Sequence, residues 1–169
     1  SYTTKQTNGN IAIMDNKIKL PKLGSIKFAK SREVEGRILN ATIRRNPSGK
    51  YFVSILVETD AEPLEKTDSV VGIDVGLKDF AILSDGTIHK NPKYFRTLEK
   101  KLAKAQRVLS RRKELAIKQK RKLSEAKNYQ KQKRTVARLH EKVMNKRTDY
   151  LHKISTEIIK NHDIIGIED

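Results

Sequence analysis

Two apolar runs in this chain finish alike. Val70-Val-Gly-Ile-Asp-Val-Gly76 and Ile165-Gly-Ile-Glu168 each place a carboxylate two residues after a glycine. Side chains alternate across a β-strand with period two, so each glycine shares a face with its acid and leaves that face bare beside it. Two such strands lying side by side hold Asp74 and Glu168 over one open patch. That is a hard-oxygen donor pair suited to Mg²⁺ or Mn²⁺. Parallel neighbours cannot be joined by a tight turn, so this arrangement requires the ninety-odd residues between the acids to form a crossover.

The rest of the sequence supplies that crossover. From about residue 92 the apolar period changes to three and four, with Phe95, Leu98, Leu102, Ala105 and Leu109 forming one helical stripe. A second stripe runs through Val136, Leu139, Val143, Tyr150 or Leu151, Ile154 and Ile158. Two long antiparallel helices over about 92–160 are expected, with a break near Asn128. Phe80 to Leu83 and Thr87 to His89 flank Ser84-Asp-Gly86 and predict a hairpin directly after the Asp74 strand. The final strand is expected over 163–168, with Asp169 pointing away from Glu168.

Residues 1–61 read as short antiparallel strands, a small sheet or partial barrel. Alternating runs at 10–14, 17–20, 25–28, 36–45 and 51–57 are separated by turn signals such as Asp15-Asn16 and Asn46-Pro-Ser-Gly49. Residues 62–69 are polar and contain proline, as a linker does. The whole is expected to be α+β or α/β. Its order of strand, hairpin, helices and returning strand over 70–169 is the start of an RNase H-like core.

Charge narrows the partner. The chain carries 37 Lys and Arg against 20 Asp and Glu, a formal net charge of +17. Such an excess requires a polyanion, because self-repulsion otherwise costs stability. Residues 111–134 hold 11 basic residues against Glu114 and Glu125 alone. With so few acids available for i,i+4 pairing, phosphate contact explains this segment better than a solvated helix face. Candidate nucleic-acid contacts are therefore Arg107, Arg111, Arg112, Lys113, Lys118 and Lys120, followed by Arg121, Lys122, Lys131, Lys133 and Arg134. Lys78, in the loop after the first acidic strand, joins them. Aromatics are only 5% and Trp is absent, so binding through many stacked bases is not expected. No stretch approaches the roughly 20 apolar residues of a membrane helix, and no secretory signal is visible, so a membrane partner is not expected. Zero Cys excludes disulfides and thiolate metal sites and fits a cytoplasmic setting. The four His residues show no metal-ligand spacing and are assigned to surface or packing roles.

The run Val71-Gly-Ile-Asp-Val-Gly-Leu-Lys-Asp-Phe-Ala-Ile-Leu-Ser-Asp-Gly86 resembles the first RuvC motif of the insertion-sequence TnpB (OrfB) family. Asn91-Pro-Lys-Tyr94, Asn145-Lys-Arg-Thr-Asp-Tyr-Leu-His-Lys-Ile-Ser155 and Ile165-Gly-Ile-Glu-Asp169 are similar to later segments of that family. Lys50 to Val57 resembles the strand that ends its wedge domain. Actin-like and sugar-kinase ATPases share a related Gly-Ile-Asp-x-Gly strand but follow it with hydroxyl residues. Leu77-Lys78-Asp79 stands here instead, which disfavours nucleotide binding.

The TnpB resemblance implies an RNA-guided, metal-dependent DNA endonuclease encoded by a transposable element and related to type V CRISPR effectors. It further implies guide RNA and target DNA as partners, with Asp74 and Glu168 as catalytic metal ligands. The 1–61 segment would be wedge-like and 70–169 part of a RuvC nuclease. A third carboxylate and a Cys-x-x-Cys zinc element are expected beyond residue 169, so this piece is not expected to cut DNA alone. The alternative is a non-catalytic nucleic-acid-binding protein from a mobile element.

Overall fold

The computed structural model describes residues 1–168 as two compact units, Ser1–Glu62 and Pro63 onward. The expectations placed on Asp169 and on the Phe95 side chain lie outside the described residues.

The first unit has two three-stranded antiparallel sheets. One has the order β1 (Tyr2–Lys5), β5 (Arg37–Arg45), β6 (Tyr51–Glu58). The other runs β2 (Ala12–Met14), β3 (Lys17–Leu20), β4 (Gly24–Lys27). Asp15-Asn16 forms the two-residue connection between the paired Met14 and Lys17. Ile11, Ile18, Leu20 and Ala41 are buried, with Ile38, Ile43, Val53 and Ile55 packed around them. The uneven spacing of Ile38, Ala41 and Ile43 has a concrete cause. The β5–β6 register shifts between Ile38 and Asn40, so Leu39 is an extra residue that returns Ala41 to the core face. Gly36, at φ 92°, has no room for a side chain, since a Cβ there would lie 2.2 Å from the Glu58 carbonyl oxygen. Strand β1 was not anticipated. Tyr2-Thr-Thr-Lys5 lacks an apolar alternation because it is an edge strand, held by the β5 ladder and a Thr3–Thr42 hydroxyl contact of 2.9 Å.

The second unit is a four-stranded sheet of order β10 (Ile164–Ile167), β7 (Val70–Val75), β8 (Asp79–Leu83), β9 (Ile88–Lys90). Strands β7, β8 and β9 form an antiparallel meander, and β10 pairs with β7 in parallel. Helices α1 (Tyr94–Lys118) and α2 (Lys127–Asn161) make the connection. At 35 residues, α2 is about 52 Å long. Its C-terminal half lays Ile154 and Ile158 against Val71, Ala81 and Leu83 of the sheet. Its N-terminal half packs Val136 and Leu139 on Leu102, Ala105 and Leu109 of α1. Each buried aliphatic side chain contributes about 1.5–3 kcal/mol relative to exposure, so this one helix joins both cores.

The helical break falls at 119–126 rather than near Asn128. Lys120 adopts φ 52°, its N–H donates to the Ile117 carbonyl, and the Arg121 N–H donates to that of Ala116. These two bonds make a Schellman ending, with lysine in the left-handed position where glycine is usual. At the other end of the hairpin, Tyr150 packs edge-on against Phe80 and Tyr94, at centroid distances of 5.6 and 5.9 Å. Its hydroxyl donates to the Lys90 carbonyl, and burial raises its pKa.

Candidate metal centre and nucleic-acid interface

Strand pairing determines where the two acids lie. The β7–β10 register sets Gly72 beside Gly166 and Ile73 beside Ile167. Asp74 is the next residue of β7 and Glu168 directly follows β10, so both lie at the carboxyl end of this parallel strand pair. Neighbouring strands lie about 4.8 Å apart, close enough for both carboxylates to reach one cation. Both acids are exposed, and neither has an ion-pair partner among the described residues.

Alternation sends Val71, Ile73 and Ile165 towards α2 and leaves Gly72, Asp74 and Gly166 on the opposite face, with Glu168 directly after β10. That face is bare. A Cβ at Gly72 would meet nothing nearer than 3.7 Å, and one at Gly166 nothing nearer than 3.9 Å. The two glycines are therefore not demanded by packing within this chain; they keep the surface beside the acids low. Val70, Ile82, Ile88 and Ile164 share the face and are 41–66% exposed, although a parallel strand pair is normally covered on both sides. Ser84 steadies the acidic strand. Its hydroxyl accepts from the Gly72 N–H at 3.0 Å, and its own N–H donates to the Gly72 carbonyl at 2.9 Å.

The donor set fits a hard divalent cation. Mg²⁺ is commonly held by one or two carboxylates, with water and phosphate oxygens completing its shell. Among the described residues no group of three or more His, Cys, Asp or Glu comes together, so a closed metal cage, as zinc requires, is not built here.

The basic residues fall on definite surfaces. Lys78 is exposed in the loop after β7, at the sheet end that carries the acids. On α1, Lys100, Lys104, Arg107, Arg111 and Lys118 recur at spacings of four, three, four and seven, all exposed. Leu102, Ala105 and Ala116 are buried on the other side of the helix, so this row runs along its outer face. Lys127, Lys131 and Arg134 form a similar row on α2, opposite the buried Val136, and Arg138 continues it. Lys113 and Lys133 flank the rows, and Lys120, Arg121 and Lys122 project from the turn. Because the two helices bury facing sides, the rows lie on opposite sides of the hairpin. Like charges at i,i+4, such as Arg107 with Arg111, cost an isolated helix a few tenths of a kcal/mol each.

Arg112 differs from the rest. It is half-buried, and its Nη1 donates to the Asn128 carbonyl at 2.9 Å and to Gln132 Oε1 at 3.3 Å. Its guanidinium fastens the tip of the hairpin from within, whereas the other candidates reach outward. Two further groups escaped the sequence reading. Asp163, directly before β10, accepts hydrogen bonds from Thr67 and Asp68, and His162 Nδ1 lies 2.7 Å from the Ser69 hydroxyl. The last residues of the expected 62–69 linker are thus tied to the final strand. The one sequence signal for this is an aspartate standing between a helix end and an apolar run.

A family described as "Probable transposase", OrfB of the IS605 type, matches residues 53–169. The chain is 41% identical over 156 residues to "Putative RNA-guided DNA endonuclease InsQ" of Escherichia coli (strain K12), covering 92% of this chain and 36% of that protein. It is 38% identical over 128 residues to "Putative RNA-guided DNA endonuclease" of Streptomyces pristinaespiralis, covering 76% and 29%. The chain therefore spans about a third of the length of the curated relatives it matches. No helix among the described residues is long and apolar enough to cross a membrane.

Proposed function

We propose, for a chain that belongs to the OrfB family of IS605-type transposable elements, that it supplies the first two metal-binding carboxylates of an RNA-guided DNA endonuclease. One observation carries this reading. Parallel pairing of β7 with β10 runs up to Ile73 beside Ile167, and Asp74 and Glu168 are the residues that come next, which supports their sharing one cation. In this reading residues 70–169 are the first part of an RNase H-like, RuvC-type nuclease core, and residues 1–61 belong to a wedge-like domain. Guide RNA and target DNA are the partners, inside a bacterial or archaeal cell.

A bound Mg²⁺ or Mn²⁺ supplies Lewis-acid activation of water and stabilises the leaving oxygen of a phosphodiester. The residues of this chain do the remaining work. Asp74, within β7, and Glu168, directly after β10, would hold the cation through their carboxylates. Gly72 and Gly166 leave the approach clear for a bulky phosphodiester. Lys78 and the outer rows of the hairpin hold phosphates through contacts that carry no base information. Base pairing to the guide then supplies the sequence choice.

The test is cleavage, with guide RNA and Mg²⁺, by a full-length relative carrying this segment in place of its own. Metal ions contribute several kcal/mol to such transition states, so Asp74→Ala lowers the rate by at least about 100-fold. Equal cleavage by parent and variant refutes the assignment. A non-catalytic binding role is the second reading, favoured by a basic hairpin that needs neither acid. It predicts unchanged nucleic-acid binding in Asp74→Ala, with no cleavage by the parent.

A further inference from the structure

We infer that Asp163 is a positioning residue: its carboxylate bolts the start of β10 to the segment entering β7, and so fixes the phase in which Glu168 arrives beside Asp74. This rests on the two-acid reading above and deepens it.

The need for such a device follows from topology. A hairpin sets its own register through its turn, but β7 and β10 are separated by a long helical excursion that specifies no phase. A slip of one residue would turn Glu168 to the α2 side. A slip of two would carry it about 6.6 Å along the strand, beyond the reach of a cation held by Asp74. Something local must select one phase.

Asp163 is placed to do this. The Thr67 N–H donates to both of its carboxylate oxygens at 3.1 Å, the Thr67 hydroxyl donates to Oδ1 at 3.2 Å, and the Asp68 N–H donates to Oδ2 at 2.8 Å. Asp68 adopts φ 51°, which lets two successive N–H groups converge on one anion, as in a backbone nest. The Asp163 and Ile164 N–H groups both donate to the Ser69 carbonyl, at 2.9 and 3.3 Å, and His162 meets the Ser69 hydroxyl. The clamp thus joins 162–164 to 67–69, and its backbone contact pairs Asp163 with Ser69, each five residues ahead of an acid. Neither Thr67 nor Asp68 offers a comparable set of donors to a carboxylate displaced by one residue, because alternation would point that side chain elsewhere. The same N–H donors hold the Asp163 carboxyl below the usual carboxylate range.

The chain has no cysteine, which allows register to be read directly. Val70 and Ile164 are direct Cα partners, both exposed and on one face, at a strand spacing that suits a disulfide. The double variant Val70→Cys/Ile164→Cys is expected to cross-link under mild oxidation. Adding Asp163→Ala abolishes the cross-link, and Asp163→Asn, which keeps one acceptor oxygen, restores part of it. In the cysteine-free chain, Mn²⁺ broadening of the Asp74 and Glu168 amide resonances is expected to require about 10- to 100-fold more Mn²⁺ once Asp163 is alanine, with Asn intermediate. Parent-like cross-linking and Mn²⁺ response in folded Asp163→Ala overturn the inference. So does a parent cysteine pair that fails to cross-link. If alanine at 163 prevents folding, parent-like behaviour of Asp163→Asn in both measurements overturns it instead. Cross-linking that depends on Asp163 in a chain showing no Mn²⁺ response upholds the clamp and rejects the metal reading, so the two fail separately.

Discussion

Replacing the outer row of α1 tests the electrostatic half of the proposal in a quantity that is readily measured. Arg107, Arg111 and Lys118 are exposed, share one helix face and have no carboxylate partner among the described residues. Glutamine at all three keeps helix propensity while removing the charge, so each change is expected to alter stability by no more than about 0.5 kcal/mol. From residue 107 to 118 the row covers about 16 Å of helix, a length over which a nucleic-acid backbone presents several phosphates. Each phosphate contact contributes about 0.9 to the slope of log K against log salt. Three lost contacts lower the slope by about 2.7. Between about 50 and 200 mM salt each contact is worth about 3.5-fold, so the parent's affinity falls about 40-fold more steeply than the variant's. Fluorescence anisotropy with a short labelled duplex across a salt series reads both numbers. A slope unchanged within error, with the triple variant still folded, refutes the claim that this face meets phosphates.

Two further outcomes concern the scaffold. Lys120→Gly relieves a left-handed residue in the Schellman ending of α1 and is expected to raise stability by up to about 1 kcal/mol, read from a denaturant midpoint at unchanged m-value. Asp163 is held below the usual carboxylate range by the Thr67 and Asp68 N–H groups, and Asp85 by the Thr87 N–H. A depressed folded pKa means that the unfolded chain binds protons first. The stabilisation is therefore complete above the unfolded value of about 3.9 and is lost as pH falls through the folded one. Melting temperature should drop on acidification below about pH 4, and Asp163→Asn should flatten that drop; an identical pH profile for the variant contradicts it.

The sequence was legible where one residue type has one physical meaning. Gly-Ile-acid marked both strands, and the packing of Val71, Ile73 and Ile165 on the α2 side puts Gly72, Asp74 and Gly166 on the other face by period-two alternation. Asp85-Gly86 and Asp15-Asn16 turn where short hairpins require. The Leu102 and Val136 stripes named the contact sides of the helices and thereby the outer basic rows. Legibility failed where the determinant was an interaction at a distance. Tyr2–Lys5 is a strand only because β5 offers it a ladder. The helical break carries lysine where glycine would have announced it. Arg112 looks like any other basic residue of its segment until α2 brings Asn128 and Gln132 to it. Asp163 is one carboxylate among twenty acids, and its partners lie 95 and 96 residues away.

The geometry of α2 connects the two halves of the proposed activity. Its residues 127–161 are one uninterrupted helix, with Val136 in the hairpin core and Ile154 and Ile158 in the sheet core. Tyr150 pins the junction through Phe80, Tyr94 and the Lys90 carbonyl. The hairpin therefore cannot swing relative to the sheet without breaking the helix or withdrawing those isoleucines, a loss of several kcal/mol. From Arg134 to Ile154 the helix runs about 30 Å, close to the roughly 34 Å of one duplex turn. Under the proposed function, the outer row of α2 and the acids belong to one rigid body, so a nucleic acid held by the one has its position relative to the other set by the protein. In the proposed nuclease, affinity generated far from the acids becomes positioning at the acids, which is what two carboxylates on an open face require if they are to meet a substrate in a defined geometry.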